Sequence, residues 1–567
     1  MVSTEALTVL RARYLQPDET PGDMFRRVAE HVAQAEELYG GDAAGAAEEY
    51  CRMMTELAFL PNSPTLINAG KPRAQLAACF VLPLEDSLPG IFETLKNTAL
   101  IQQSGGGTGF SFSRLRPEGD VVASTGGVAS GPVSFLHIYD VATQVVKQGA
   151  VRRGANMAVL RVDHPDIEEF IVAKRRPDAL NNFNLSVGIT GEFMDAVKAG
   201  AAFGLVNPHG GQVVRTLAAR DLFGLLVRMA WENGEPGLFF LDAVNRTNPT
   251  PALGAFEAPN PCSEQPLLPY ESCVLGSVNL TRVITGQGRE RRIDFAKLGG
   301  LVRSGVRFLD NIVEVNHHPL PQVAEATRGT RKVGLGVMGL AETFILLGIP
   351  YASREAVALT ETILGFVTRE ARRMSAELGE KRGSFPAFAG SVYPRQGYRA
   401  MRNATVTTIA PTGTISIIAG CSSGIEPLFA LSLSRRVLEG KVLTSASPTV
   451  ELYLEERGLL TAKVRSAIEE RGTLAGTALP EEVRRVLATA HEIAPYWHVA
   501  QLAAAQRHVD NGVSKTVNMP REATEQDVAD IFRQAFASGC KGVTVYRDGS
   551  RDKQVLTGGM RCEDCLV

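Results

Sequence analysis

The chain has 567 residues, with 59 Lys plus Arg against 61 Asp plus Glu, so its formal charge is −2 and it carries no basic field for wrapping a polyanion; nucleic acid is not expected as a partner. Apolar residues make up 44% and charged residues 21%, the usage of a globular protein rather than a disordered one. No run nears the roughly 18 apolar residues of a spanning helix, and Met1-Val2-Ser3-Thr4-Glu5 lacks a basic-then-apolar leader, so a cytoplasmic protein without a membrane partner is expected.

The first sixty or so residues read as helical. Pro21-Gly22 leads into Asp23 as an N-cap, Met24, Val28, Val32 and Ala35 form an apolar stripe at helical spacing, and residues 44–60 continue the pattern. From about residue 75 the chain changes to short apolar runs, Gly-rich turns and amphipathic helices. Leu222, Leu225, Leu226 and Met229 recur at helical spacing, Gly234 stops that helix, and Gly237-Leu238-Phe239-Phe240-Leu241 follows as a buried strand. A helix feeding a buried strand points to α/β construction with parallel strands. Thr405-Val406-Thr407-Thr408-Ile409 is a second strand, followed by Ala410-Pro411-Thr412-Gly413-Thr414 and the apolar Ile415-Ser416-Ile417-Ile418. The end of the chain, past Val545-Tyr546, is polar and Gly-rich, and reads as a mobile tail.

Eight cysteines spread over so long a chain argue against a secreted disulfide scaffold. Asn260-Pro261-Cys262-Ser263-Glu264 places an amide, a thiol and a carboxyl at alternate positions. In an extended segment all three would face one side, where a thiol can act as nucleophile or hydrogen-atom carrier, a carboxylate can take a proton and an amide can hold a hydroxyl. Cys562 and Cys565 are either a dithiol or half of a zinc site. Zinc needs four ligands and the last twenty residues offer no other Cys or His, which favours a dithiol that exchanges with another disulfide. No metal site is read elsewhere.

Ser104-Gly105-Gly106-Gly107-Thr108-Gly109 lets backbone approach a ligand closely and aim N–H groups at an anion, or is a flexible loop. Pro411-Thr412-Gly413-Thr414 places hydroxyls and amides at a helix start, where phosphate is favoured. Gly334-Leu335-Gly336-Val337-Met338-Gly339 spells a dinucleotide fingerprint, but the polar residues before it supply no strand, so packing glycines are the better reading.

Together these segments resemble the large catalytic subunit of the ribonucleotide reductases, and most of all the adenosylcobalamin-dependent class. The matching pieces run from Phe59-Leu60-Pro61-Asn62-Ser63-Pro64-Thr65-Leu66 through Ala78-Cys79-Phe80-Val81-Leu82, residues 104–109, 260–264 and 411–414, to Gly542-Val543-Thr544-Val545-Tyr546-Arg547-Asp548-Gly549-Ser550. They follow the family's order over nearly the whole chain.

The resemblance implies an α/β barrel of ten strands in two five-stranded parallel halves, with a central finger loop, after a small helical region. Domains are expected at 1–70 (helical, with no ATP-sensing domain), 71–545 (barrel) and 546–567 (redox tail). It implies that Cys262 becomes a thiyl radical, in a buried and dry site, when adenosylcobalamin breaks its cobalt–carbon bond, that Glu264 accepts a ribose hydroxyl proton, and that Asn260 orients the sugar. Cys79 and Cys273 would supply the reducing electrons and end as a disulfide, which Cys562 and Cys565 would reopen before a thioredoxin-like reductant restores them. Substrate phosphates would rest on Ser63, Thr65, the backbone at Ala78 and Gly107, and Pro411, Thr412, Gly413, Thr414 and Ile415. Asp86 and Arg116 match positions that hold a deoxynucleotide specificity effector at a homodimer interface, and 147–155 matches the loop that relays its identity.

The expected activity is thus reduction of ribonucleotides, as diphosphates, to deoxyribonucleotides for DNA synthesis. The alternative is a large subunit that imports its radical from a separate metal subunit. Such enzymes carry adjacent tyrosines near the C-terminus, whereas here Tyr546 follows Val545. Nicotinamide-dependent oxidation rests only on the Gly334 segment, and a non-enzymatic nucleotide-binding regulator would not need Cys262.

Overall fold

Capping residues set the first helices. In α1 (Thr4–Arg13) Ser3 Oγ accepts from the Ala6 N–H, and in α3 (Ala43–Thr55) Asp42 accepts from the Gly45 N–H. Between them α2 (Pro21–Ala33) starts from Thr20, not Asp23: the two residues form a capping box, in which Asp23 at the third position reaches back to the Thr20 N–H. The helical reading of 44–60 holds to Thr55, after which the chain extends into strand β1 (Phe59–Pro61) and re-forms a helix in α4 (Ser63–Asn68). This computed structural model describes the chain except residues 1, 123–125, 147–154, 177, 438–440, 552–556 and 559–567.

The remaining strands of the main sheet are β2 (Cys79–Val81), β3 (Gly107–Ser111), β4 (Asn156–Arg161), β5 (Phe183–Ile189), β6 (Gly237–Phe240), β7 (Ser272–Asn279), β8 (Val333–Met338), β9 (Thr516–Met519) and β10 (Gly542–Arg547). With β1 they make a sheet of 10 strands. Strands β2 to β6 pair in sequence, each parallel to the next, forming one half. In the other half β7 lies parallel to β8 and β9 parallel to β10. The segment between β8 and β9 is supplied by 405–409, through parallel bridges Leu335↔Thr407 and Ile409↔Val513. Two antiparallel seams, β7 on β2 and β6 on β10, join the halves. The ring therefore closes. Strand β1 adds to β7 beyond the end of β2.

Alternation along the strands separates two cores. Cys79, Val81, Met157, Val159, Cys273 and Leu275 share an inner cluster, while Phe80, Ala158 and Leu160 belong to the outer layer under the helices. Outside lie α5 (Leu88–Gln103) between β2 and β3, α6 (Gly131–Val145) before β4, and the helix Ala219–Asn233, which Gly234 ends in the left-handed conformation. The fingerprint lookalike is strand β8 itself. A methyl at Gly336 would meet the Thr408 carbonyl oxygen at 2.5 Å, so its glycines serve close packing, not a phosphate turn. No helix among the described residues is long and apolar enough to cross a membrane.

Candidate active site

Two short strands, Ala258–Pro259 and Pro266–Leu267, pair antiparallel and carry a tight turn between them. The Ser263 N–H donates to Asn260 O at 3.0 Å, the Asn260 N–H donates to Gln265 O at 3.1 Å, and Ser263 has φ 64°. Residues 260–264 are thus a chain reversal, so the condition under which all three side chains would face one side is not met. The consequence is a division of labour. Asn260 and Glu264 are buried at the base of the turn, and Cys262 is exposed at its tip. The burial expected of Cys262 does not hold for the chain alone: it lies at the apex of the turn and is exposed.

Both halves of the barrel hold this hairpin between them. From β3, Gly109 is so close that a methyl there would lie 1.9 Å from the Pro259 carbonyl oxygen, and one at Gly107 would meet Pro261 at 2.9 Å. From β5, Asn184 Nδ2 donates to Pro261 O at 2.8 Å. From the other half, Thr408 Oγ1 donates to Glu264 O at 2.8 Å and the Gly512 N–H donates to the same oxygen at 2.9 Å. The glycines at 107 and 109 therefore have a use the sequence did not suggest: they clear space for the finger. Opposite them, Thr108 turns outward to Asn156 Oδ1 at 2.6 Å, within a buried knot that Gln102 and Thr143 complete.

Beside the base of the finger stands a thiol pair. Cys79 and Cys273 are register partners across the antiparallel seam, and both are buried. Asn260 Nδ2 donates to Cys79 Sγ at 3.1 Å, and Cys79 Sγ lies 3.9 Å from Glu264 Oε1. Burial raises the Cys273 thiol well above its ordinary pKa; Lys332 pulls against this, and Glu264 and Glu271 add to it. The buried Lys332 ammonium is held by Glu271 at 2.5 Å. A thiol pair, a carboxyl group and an amide can together deliver hydrogen and electrons and take up a proton, so the candidate residues 79, 260, 264 and 273 form one cluster with Cys262 on the same turn.

The anion candidates gather less completely. Ser63 opens α4, with its Oγ 2.7 Å from the Tyr14 hydroxyl. Thr65 is fully buried, and its hydroxyl donates to Asn62 Oδ1 and Leu76 O, so it holds the local loop. The Gly107 N–H is used by Ala78 O at 2.9 Å. Thr412 has φ 51°, and its Oγ1 accepts from the Gly424 N–H at 2.8 Å, which leaves the first turn of the helix Gly413–Ala419 without a side-chain cap. Of that segment, Gly413 is exposed, Pro411 and Thr414 half-buried, and Ile415 buried.

Asp86 and Arg116 are brought together, with Arg116 Nε 2.9 Å from Asp86 Oδ2 and the Arg116 N–H on Asp86 Oδ1. Of the relay loop at 147–155 only Ala155 is described, and Cys562 and Cys565 lie outside the described residues. Sequence reasoning missed Asn184, Thr408 and Gly512. Only the last left a signal, since Asp510-Asn511-Gly512 marks a turn.

Comparison with known proteins agrees with this architecture. Residues 77–546 match the family described as ribonucleotide reductase, barrel domain, and residues 2–74 its all-alpha domain. A vitamin B12-dependent ribonucleoside-diphosphate reductase of Mycobacterium tuberculosis is 49% identical over 98% of this chain and 81% of its own length. One of Thermoplasma acidophilum, with the same name, is 46% identical over 98% of this chain and 80% of its own. Among solved structures, the class Id ribonucleotide reductase alpha subunit of Actinobacillus ureae superposes with a TM-score of 0.78, covering 97% of both chains at 23% identity.

Proposed function

The chain belongs to the ribonucleotide reductase family, and from that premise we propose that it reduces ribonucleoside diphosphates to 2′-deoxyribonucleotides in an adenosylcobalamin-dependent reaction. The observation that carries the reading is the cluster at the foot of the finger: two buried thiols in register, with a carboxylate and an amide against one of them. The relatives at 46–49% identity carry vitamin B12-dependent names, whereas the class Id subunit at 23% speaks to fold alone. This favours the cobalamin reading over import of a radical from a metal subunit.

The exposed tip fits such a cofactor, because a bulky group has to reach the Cys262 sulfur from outside the hairpin. When bound, adenosylcobalamin supplies the carbon radical that removes the thiol hydrogen. The Cys262 thiyl then takes hydrogen from carbon 3 of the ribose and returns it at the end. Glu264 accepts the proton of the 3-hydroxyl, and Asn260 orients the sugar. Cys79 and Cys273 each give up one hydrogen as their sulfurs join: one leaves with the 2-hydroxyl as water, the other takes its place on carbon 2, and Glu264 returns its proton to the 3-oxygen. Burial suits Cys273 to this role, since a raised pKa keeps the S–H that a hydrogen donor needs. Dryness around Cys262 comes from the bound molecules rather than from the fold.

Substrate phosphates rest on Ser63 and on the uncapped helix start at 411–415 rather than on the Thr65 hydroxyl. The family's large subunits bind an effector as well as a substrate, and Asp86 with Arg116 is its candidate seat here. Leu88, Phe92 and Leu100 on α5 and Ile138, Val141 and Val145 on α6 are exposed, an apolar face suited to a second copy of this chain. Cys562 and Cys565 pass electrons from a thioredoxin-like reductant to the buried pair. The test is an assay of the purified chain with each ribonucleoside diphosphate, adenosylcobalamin and a dithiol. Deoxynucleotide formation without any second subunit supports the reading, and its absence refutes it.

A further inference from the structure

Lys541 immediately precedes β10, is buried, and directs its ammonium at two backbone carbonyls, Asp510 O at 2.5 Å and Asn511 O at 3.0 Å. The Asp510 carboxylate is engaged elsewhere, by Arg372 through Oδ1 and by the N–H groups of Val406 and Thr407 through Oδ2. An ammonium buried against carbonyls costs free energy that an apolar residue would not. Burial pushes its pKa down to about 8, with Asp510 opposing the fall and Arg372 adding to it.

The seam at this point does not need the side chain. The Phe240 N–H donates to the Lys541 carbonyl at 2.9 Å, a backbone bond that any residue would keep. What the side chain reaches is the turn before Gly512, where it alone among the described side chains donates to Asp510 O and shares Asn511 O with Gln506 Nε2 at 2.8 Å. There the Gly512 N–H meets Glu264 O at 2.9 Å, its own carbonyl accepts from Thr408 Oγ1 at 3.0 Å, and a methyl would lie 2.4 Å from Ser263 O. A flexible stem ending in three donors can hold two successive carbonyls, which orients the next peptide.

We propose that Lys541 is a positioning residue of the reductase: by clamping the carbonyls of Asp510 and Asn511 it holds the Gly512 turn on which the finger loop and Glu264 are seated. The proposal rests on the reading of Glu264 as proton acceptor and adds a residue that touches neither substrate nor cofactor. The experiment compares the full-length parent with Lys541→Met and Lys541→Arg, measuring kcat, KM for the diphosphate, and amide exchange in the cofactor-free protein over 507–516. The Met variant is expected to lose at least about tenfold in kcat with KM held within about twofold. Exchange over the turn should quicken, and the Arg variant should recover much of the loss. A Met variant with parental kcat, a fall in kcat matched by a rise in KM, or unchanged exchange would overturn it. Should the Met variant not fold, Lys541→Gln is judged by the same outcomes. A parent without reductase activity defeats the functional reading instead, and the exchange comparison alone then decides whether the clamp exists.

Discussion

Cys79 and Cys273 face each other across an antiparallel strand pair at the seam between the two half-barrels. Directly opposed residues in such a pair have Cα atoms about 4.5–5.5 Å apart, inside the span a disulfide bridges without moving backbone. The pair is therefore expected to oxidise in place. After one turnover without reductant, peptide mapping should recover a Cys79–Cys273 disulfide in an otherwise unchanged protein. Cys79→Ser should leave less than about a thousandth of the parent's turnover, since the hydroxyl cannot complete the two-electron step. A turnover product lacking that disulfide would remove the pair's assigned role.

Cys262→Ala should abolish deoxynucleotide formation while leaving binding of the diphosphate within about twofold of the parent. Because the side chain is exposed, the cost to stability should stay within about 0.5 kcal/mol. Calorimetric binding alongside the product assay separates these effects. Retained multiple turnover would show that the sulfur carries no hydrogen.

Gly109→Ala places a methyl where the Pro259 carbonyl already lies, at a distance no van der Waals contact allows. The finger must move as a whole. Overpacking of this kind is expected to cost about 3 kcal/mol and at least about 10²-fold in turnover. Thermal melting and steady-state kinetics check the two figures, and a variant close to the parent in both would mean that β3 does not seat the finger.

These relationships mark where sequence was legible and where it was not. Local signals were enough for the helix ending at Gly234, the buried strand after it, and the packing role of Gly334 and Gly336, because each is decided within a few residues. The turn at 260–264 was not legible, because alternation of polar residues does not itself decide between extended backbone and a reversal. Pro261 was the local clue to a reversal, which Ser263 completes in the left-handed conformation. The seat of the finger was hidden for a different reason. Asn184, Thr408 and Gly512 reach it from far along the chain, and only the closed ring brings them there.

The apolar face of α5 and α6 gives a prediction about assembly. Val141→Asp together with Val145→Asp changes residues that are already exposed, so the folded subunit should lose no more than about 0.5 kcal/mol per site. A dimer paired through that face would bury these charges, so where the parent sediments as a dimer the double variant should sediment as a monomer. A double variant that stays dimeric would place the interface elsewhere.

Acid stability is expected to depend on Glu36, which ties the helical region to the barrel. Its carboxylate accepts from Arg307 at 2.7 Å, Arg382 at 2.6 Å and Asn311 at 2.7 Å. Burial alone would raise its pKa, but these bonds outweigh it and hold the carboxyl down at about 2, against an ordinary 4.5. A group depressed on folding stabilises fully above its unfolded pKa, and that contribution is lost as pH falls through its folded value. Glu36→Gln leaves two guanidinium groups against a neutral amide, for an expected loss of about 3 kcal/mol at pH 7. The gap between parent and variant should then close as pH falls from 4.5 toward 2. Urea midpoints at several pH values measure it directly. A gap that stays constant over this range would mean that the Glu36 charge contributes nothing to holding the two regions together.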